Sequence, residues 1–190
     1  PKLPIMWMPW QEHMMHSYLL PPELPESELE ELHEYARSFA HRNRSELLPT
    51  LDDIAWTIYS DYSYKPGFTT LETTPYEVFS SRAGVCQDFA HITLGVLRLL
   101  GVPARYVSGY LAPPRDPQVG ESSAGESHAW VEFWDGQWLP ADPTNLTPVT
   151  VDHVVVARGR DYHDVSPFKG VYSGTGVAAL EVSVRFTRMA

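Results

Sequence analysis

The chain has 190 residues, the size of one domain, and that length can bury a core without disulfides or a structural metal. Its single cysteine, Cys86, excludes an intramolecular disulfide, a cysteine-rich zinc module and a dithiol redox motif. A formal net charge of -10 with no basic tract argues against nucleic-acid and anionic-membrane binding, and no apolar run is long enough to encode a membrane span.

Residues 1–25 carry Pro4, Trp7, Pro9, Trp10, Pro21, Pro22 and Pro25, and read as an extended arm or linker, with the domain proper over 26–190. The chain starts with Pro1 and not Met, so an upstream part is expected to be missing, and a cytoplasmic location is the default expectation. Ser27 with Glu28, Glu30 and Glu31 opens a first helix that carries Leu29, Leu32, Tyr35, Ala36 and Phe39 and closes at Asn43-Arg44. Thr50, with Asp53 three residues on, reads as the cap of a second helix with Leu51, Ile54, Ala55, Ile58 and Tyr59 on its apolar face.

After a turn over Asp61 to Gly67, Thr74-Pro75 with Glu77 starts a short helix that Gly84 ends. A third long helix runs from Cys86 to Leu100, with Phe89, Thr93, Val96, Leu97 and Leu100 inward, and stops at Gly101. The period then changes. Arg105 to Tyr110 reads as a strand, 113–127 as a long polar loop, and His128 to Trp134 as an alternating strand. Asp135-Gly136 turns the chain into a return strand from Trp138, and Val154 to Ala157 and Leu180 to Phe186 add two more. Helices first and an antiparallel sheet after is the α+β order.

Cys86 sits at the first turn of its helix, where a thiolate is stabilised and backbone N–H groups can hold an oxyanion. On position alone it is equally a buried, inert side chain. His128, on the alternating strand, supplies an imidazole of the kind a thiolate nucleophile needs, and Asp142, expected on the return strand beyond the hairpin turn, is placed to orient it. A metal site built from these same three residues is a lesser alternative. His91, five residues past Cys86, faces elsewhere on the helix, and Asp88 is better placed to serve the helix start. His153 and His163 read as polar satellites, and Asp152, His153, Asp161, His163 and Asp164 have no ligand-specific spacing. Trp130, Trp134 and Trp138 are expected to fill core or cleft walls.

The block GVCQDFAH within 69–111, H-x-W-x-E from His128 and D-P-T-N from Asp142 together resemble the catalytic core of the transglutaminase-like superfamily, in its bacterial cysteine-protease-like branch. Residues 153–174 continue the likeness, and YLLPPEL at 18–24 resembles the junction that follows a β-rich N-terminal domain in longer members. The resemblance implies a papain-like α+β core with N-terminal helices packed on the antiparallel sheet. It implies Cys86 as nucleophile, His128 as general base and acid, and Asp142 as the residue orienting His128. It also implies a thioester intermediate, a protein or peptide substrate, peptidase activity ahead of crosslinking or deamidation, and no metal or other cofactor. A non-catalytic binding module on the same fold stays as an alternative. For the oxyanion, the expected donors are the Cys86 backbone N–H and one of Gln87, Tyr62 or Tyr64.

Overall fold

The structure is a computed structural model that describes residues 2–112, 118–167, 183–187 and 189. In chain order its elements are α1 (Pro9–Met15), a single 3-10 turn (His16–Tyr18), α2 (Glu26–Arg42), α3 (Leu47–Asp61), β1 (Ser63–Tyr64), α4 (Pro75–Ser81) and β2 (Ala83–Gly84). Then come α5 (Cys86–Leu99), β3 (Ala104–Leu111), β4 (Ser122–Trp134), β5 (Trp138–Ala141), β6 (His153–Gly159), α6 (Tyr162–Val165) and β7 (Val184–Thr187). The helices precede an antiparallel sheet of order β5-β4-β3-β6, with β7 paired to the outer part of β4. This is the α+β arrangement read from the sequence.

Helix α5 is the pivot. Phe89, Ala90, Ile92, Thr93, Leu94, Val96 and Leu97 are all buried, so nearly its whole circumference is covered. Helices α2, α3 and α4 pack on it from one side and β3 and β4 from the other. Leu32, Ala36 and Phe39 of α2 and Leu47, Leu51, Ile54 and Ile58 of α3 join that core, together with Ala129, Val131 and Phe133 of β4. The alternation along β4 turns His128, Trp130 and Glu132 to the other face of the sheet, where Glu132 pairs with Arg105 and Arg158.

Several boundaries differ from the sequence reading. The N-terminal arm is not extended throughout, because Pro9 occupies the first turn of α1, where its fixed φ suits a helix and no donor is lost. Helix α2 starts at Glu26 behind Pro25, one residue before the expected Ser27 cap. Helix α3 starts at Leu47, so Thr50 is interior, and its hydroxyl donates back to the Glu46 carbonyl at 2.6 Å. Asp53 takes no part in a capping box: it accepts from Arg42 Nη2 at 3.0 Å and from Asn43 Nδ2 at 2.5 Å, tying α3 to the end of α2. Tyr59 is exposed. The capping box of Thr74 and Glu77 is present as read. Strand β4 begins at Ser122, inside the expected loop, and 113–117 of that loop lie outside the described residues, as do 168–182.

Candidate active site

Cys86 opens α5, and the turn before it is shaped by Gly84 and Asp88. A Cβ on Gly84 would lie 2.7 Å from the Asp88 Cβ and 2.8 Å from its Oδ2. The bare backbone therefore lets the carboxylate fold under the turn. There Asp88 Oδ2 accepts the Val85 N–H at 2.8 Å and the Thr69 hydroxyl at 2.6 Å. Burial pushes the Asp88 carboxyl up, and those two hydrogen bonds oppose it. Asp88 thus serves the helix start, as its position suggested, and takes no part in a proton relay.

Strands β1 and β2 pair in parallel over two residues, Ser63 with Ala83 and Tyr64 with Gly84. The pairing brings Tyr64 alongside the Cys86 turn. The Tyr64 hydroxyl is pushed up first by burial, then by the charge of Cys86 and interaction with its side chain, with Glu126 contributing further. Tyr62, two residues back, points into the core. Its hydroxyl accepts from Arg82 Nη1 at 2.7 Å and lies 3.4 Å from the Tyr35 hydroxyl, so it is occupied elsewhere. Gln87 lies in the first turn of α5. Of the three candidate side chains for an oxyanion, Gln87 follows Cys86 directly in α5 and Tyr64 comes alongside the same turn from β1.

His128 lies on β4 opposite Gly109 of β3. Its Nε2 donates to Asp142 Oδ2 at 2.8 Å, which leaves Nδ1 as the ring nitrogen free for a second partner. Burial works against a charged imidazole here. Interaction with Asp142, then with Cys86, overcomes it and pushes His128 up to about 9. Asp142 falls one residue past β5, in a turn and not on the strand itself. Its Oδ1 accepts the backbone N–H groups of Thr144 at 3.0 Å and Asn145 at 3.3 Å, an Asx turn that fixes the carboxylate plane. Burial opposes its charge too, and the His128 hydrogen bond and charge, with Asn145 and His153, bring it down to about 2. The pair is therefore held as carboxylate and imidazolium at neutral pH.

Asn145, and His153, which the sequence offered only as a polar satellite, belong to this cluster. Asn145 Nδ2 donates to Asp142 Oδ2 at 2.9 Å. His153 Nε2 reaches the same oxygen from the start of β6 at 3.2 Å. Asn145 stood within the quoted D-P-T-N, so its signal was available. His153 follows a Thr-Val-Asp turn and carries no distinguishing spacing. Trp130 ties the two imidazoles together: it stacks on His128 with ring centroids 6.0 Å apart and meets His153 edge-on at 5.3 Å.

The indole lies over Gly109, where an added Cβ would come within 2.6 Å of Cη2 and 2.2 Å of the Val154 carbonyl oxygen. A glycine on the middle strand thus makes room for the tryptophan between the two histidines. The remaining rivals go elsewhere. His91 Nε2 accepts the Tyr162 N–H at 3.1 Å, and burial brings this histidine down to about 4. Asp161 caps α6 by accepting the Asp164 N–H at 3.2 Å, and Asp164 pairs with Arg160, so the acidic stretch after β6 does not converge on His153.

His128, Asp142 and His153 offer three ligand-type atoms within 4.8 Å of one another. A ligating imidazole must turn a bare nitrogen to the ion. The Thr150 N–H donates to His153 Nδ1 at 3.3 Å, so the ring proton sits on Nε2, the atom facing Asp142. Donors and acceptors are matched within the trio, which makes it a hydrogen-bond network and not a ligand cage.

Comparison with known proteins follows the same lines. A family model described as the transglutaminase-like superfamily matches residues 33–143. An uncharacterized protein of Mycobacterium leprae is 50% identical over 131 residues, covering 69% of this chain and 47% of its own length. A protein-glutamine gamma-glutamyltransferase of Pseudomonas aeruginosa is 36% identical over 87 residues, which is 44% of this chain and 13% of that protein. Among solved structures, a candidate cysteine protease from Cytophaga hutchinsonii superposes with a TM-score of 0.67 and 26% identity, over 92% of this chain and 52% of that one. The periplasmic domain of TgpA from Pseudomonas aeruginosa shares the fold, with a TM-score of 0.53, 24% identity, and coverage of 69% and 48%. The chain spans about half the length of the mycobacterial relatives it matches.

Proposed function

Because the chain belongs to the transglutaminase-like superfamily, we propose that it is a cysteine-dependent amide hydrolase, acting on a peptide or protein through Cys86, His128 and Asp142. The observation that supports this reading is the buried His128–Asp142 pair at 2.8 Å, with Cys86 at the start of α5 among the groups that push the imidazole up. In the proposed cycle the Cys86 thiolate attacks the amide carbonyl carbon, a C–S bond forms, and the carbonyl oxygen takes the negative charge. The Cys86 backbone N–H, at a helix start, and the Tyr64 hydroxyl are the proposed donors to that oxygen. Collapse breaks the C–N bond, and His128 gives its Nδ1 proton to the departing amine. Water then attacks the thioester with His128 as base, releasing acid and thiol. Asp142 keeps the imidazole in one orientation and stabilises its charge throughout.

A second reading is transamidation, in which a second amine and not water resolves the thioester. The likeness to the Pseudomonas gamma-glutamyltransferase favours it. Both share the first half-reaction. Incubation with a peptide library and a primary amine, followed by mass spectrometry with Cys86→Ala as control, separates them. Cleavage or a one-dalton deamidation, in which water resolves the thioester, supports the hydrolase, and an amine adduct supports the alternative. If the wild-type chain and Cys86→Ala give identical spectra, the thiol mechanism is wrong.

A further inference from the structure

His153 sits at the first residue of β6, and its side chain is almost wholly buried. Three donors converge on Asp142 Oδ2: His128 Nε2 at 2.8 Å, Asn145 Nδ2 at 2.9 Å and His153 Nε2 at 3.2 Å. They come from β4, from the turn after β5 and from β6, so the carboxylate is gripped from three parts of the chain. The two lone pairs of an ionised Oδ2 are shared among these three donors, and a protonated carboxyl would offer less still. His153 differs from His128 in one respect. Its second nitrogen is not free, because the Thr150 backbone N–H already donates to Nδ1 at 3.3 Å. A ring whose Nδ1 accepts cannot take a proton there without expelling that donor. His153 therefore cannot shuttle protons as His128 is proposed to, yet it always presents an N–H to Asp142.

We infer that His153 is a second histidine of the site, a positioning residue whose fixed Nε2–H holds Asp142 ionised and aimed at His128. This deepens the proposed hydrolase reading and rests on it for its catalytic consequence. In that cycle His128 loses its proton to the leaving amine. At that moment Asp142 would otherwise be a buried carboxylate facing a neutral imidazole. The His153 N–H, with Asn145, compensates the charge without competing for the proton in transit. The groups facing Asp142 are His128, Asn145, His153 and the two backbone N–H groups of its own turn.

The test uses the whole chain and two substitutions. His153→Phe keeps a ring of similar width and removes the donor, and His153→Gln restores an N–H at about the same reach. The titration of the Asp142 carboxyl carbon, followed by carbon-13 NMR, should move to higher pH in His153→Phe and return towards wild type in His153→Gln. If kcat can be measured, His153→Phe should lower it about 10- to 100-fold with KM little changed, the loss expected of one hydrogen bond to a charged group. His153→Gln should recover most of that loss. In the unsubstituted protein, nitrogen-15 NMR should show the His153 proton on Nε2 across the range in which His128 titrates, and this readout survives even if His153→Phe fails to fold. A proton found on Nδ1, or an Asp142 titration indifferent to His153→Phe, overturns the inference. Absence of any amide-cleaving or transferring activity in wild type would instead overturn the hydrolase reading, and the two NMR results would still decide the role of His153.

Discussion

Replacing Gly109 by alanine adds one methyl group at the point where the sheet is most crowded. The new Cβ would lie 2.2 Å from the Val154 carbonyl oxygen and 2.6 and 3.0 Å from Cη2 and Cζ3 of Trp130. Neither neighbour can give way cheaply. The carbonyl belongs to β6, which is paired to β3 on either side of this position, and the indole is fully buried. Overpacking of this kind costs about 1–3 kcal/mol. For a chain of this size each kilocalorie lowers Tm by about 2–4 °C, so Gly109→Ala should melt about 2–12 °C below wild type. The displaced indole carries His128 and His153 with it, because it contacts both rings. Thermal unfolding followed by circular dichroism measures the first effect. The rate of Cys86 alkylation by iodoacetamide measures the second, and the single cysteine makes that signal unambiguous. Trp130→Leu in the same background should recover part of the stability, with a coupling energy of about 0.5–3 kcal/mol between the two changes. A Gly109→Ala protein with wild-type Tm and alkylation rate, or strict additivity with Trp130→Leu, would refute the crowding argument.

Other outcomes follow from the same geometry. His128 is held at about 9, above the ordinary histidine range, so its contribution to stability is complete below about 6.5 and is lost as pH rises through 9. Wild-type Tm should therefore fall more steeply than that of His128→Gln over this interval, and parallel profiles would contradict the ion pair. Tyr64→Phe should slow turnover about 100- to 1000-fold if its hydroxyl is an oxyanion donor, with KM nearly unchanged, and an unaltered kcat removes it from that role. Glu132 is buried between Arg105 at 2.5 Å and Arg158 at 3.0 Å, so Glu132→Gln should cost about 1–3 kcal/mol in chemical denaturation. No loss on that change would mean that the two arginines are satisfied by solvent.

Much of this molecule was legible because hydrophobic period and punctuation are local signals. The Thr74-Glu77 box, the inward face of α5 and the His128–Trp134 alternation all depend on residues within a few positions of one another, and all appear in the structure. The start of α3 was misjudged because Thr50 has the chemistry of a cap and uses it instead on its own helix, while Asp53 answers to α2. Arm residues 9–15 were read from proline content, which does not distinguish a proline that ends a helix from one that begins it. In the site, Asp142 could be placed beside His128 because a hairpin sets two strands side by side. His153 could not, since its approach depends on a strand two positions away across the sheet and on the missing side chain at Gly109. Tyr64 and Tyr62 looked alike in sequence, and only the two-residue pairing with Ala83–Gly84 separates them.

Strand β4 is long enough to live under two regimes. Its inner part, where His128 lies, is bonded to β3 and β5 and sealed by α5. Its outer part, Ser122–Gly125, is bonded to β7 alone among the described residues, and no buried side chain anchors it. Amide hydrogens along one continuous strand should therefore exchange with solvent in two tiers: the outer four by local opening, and those from Ala129 onward at the rate of global unfolding.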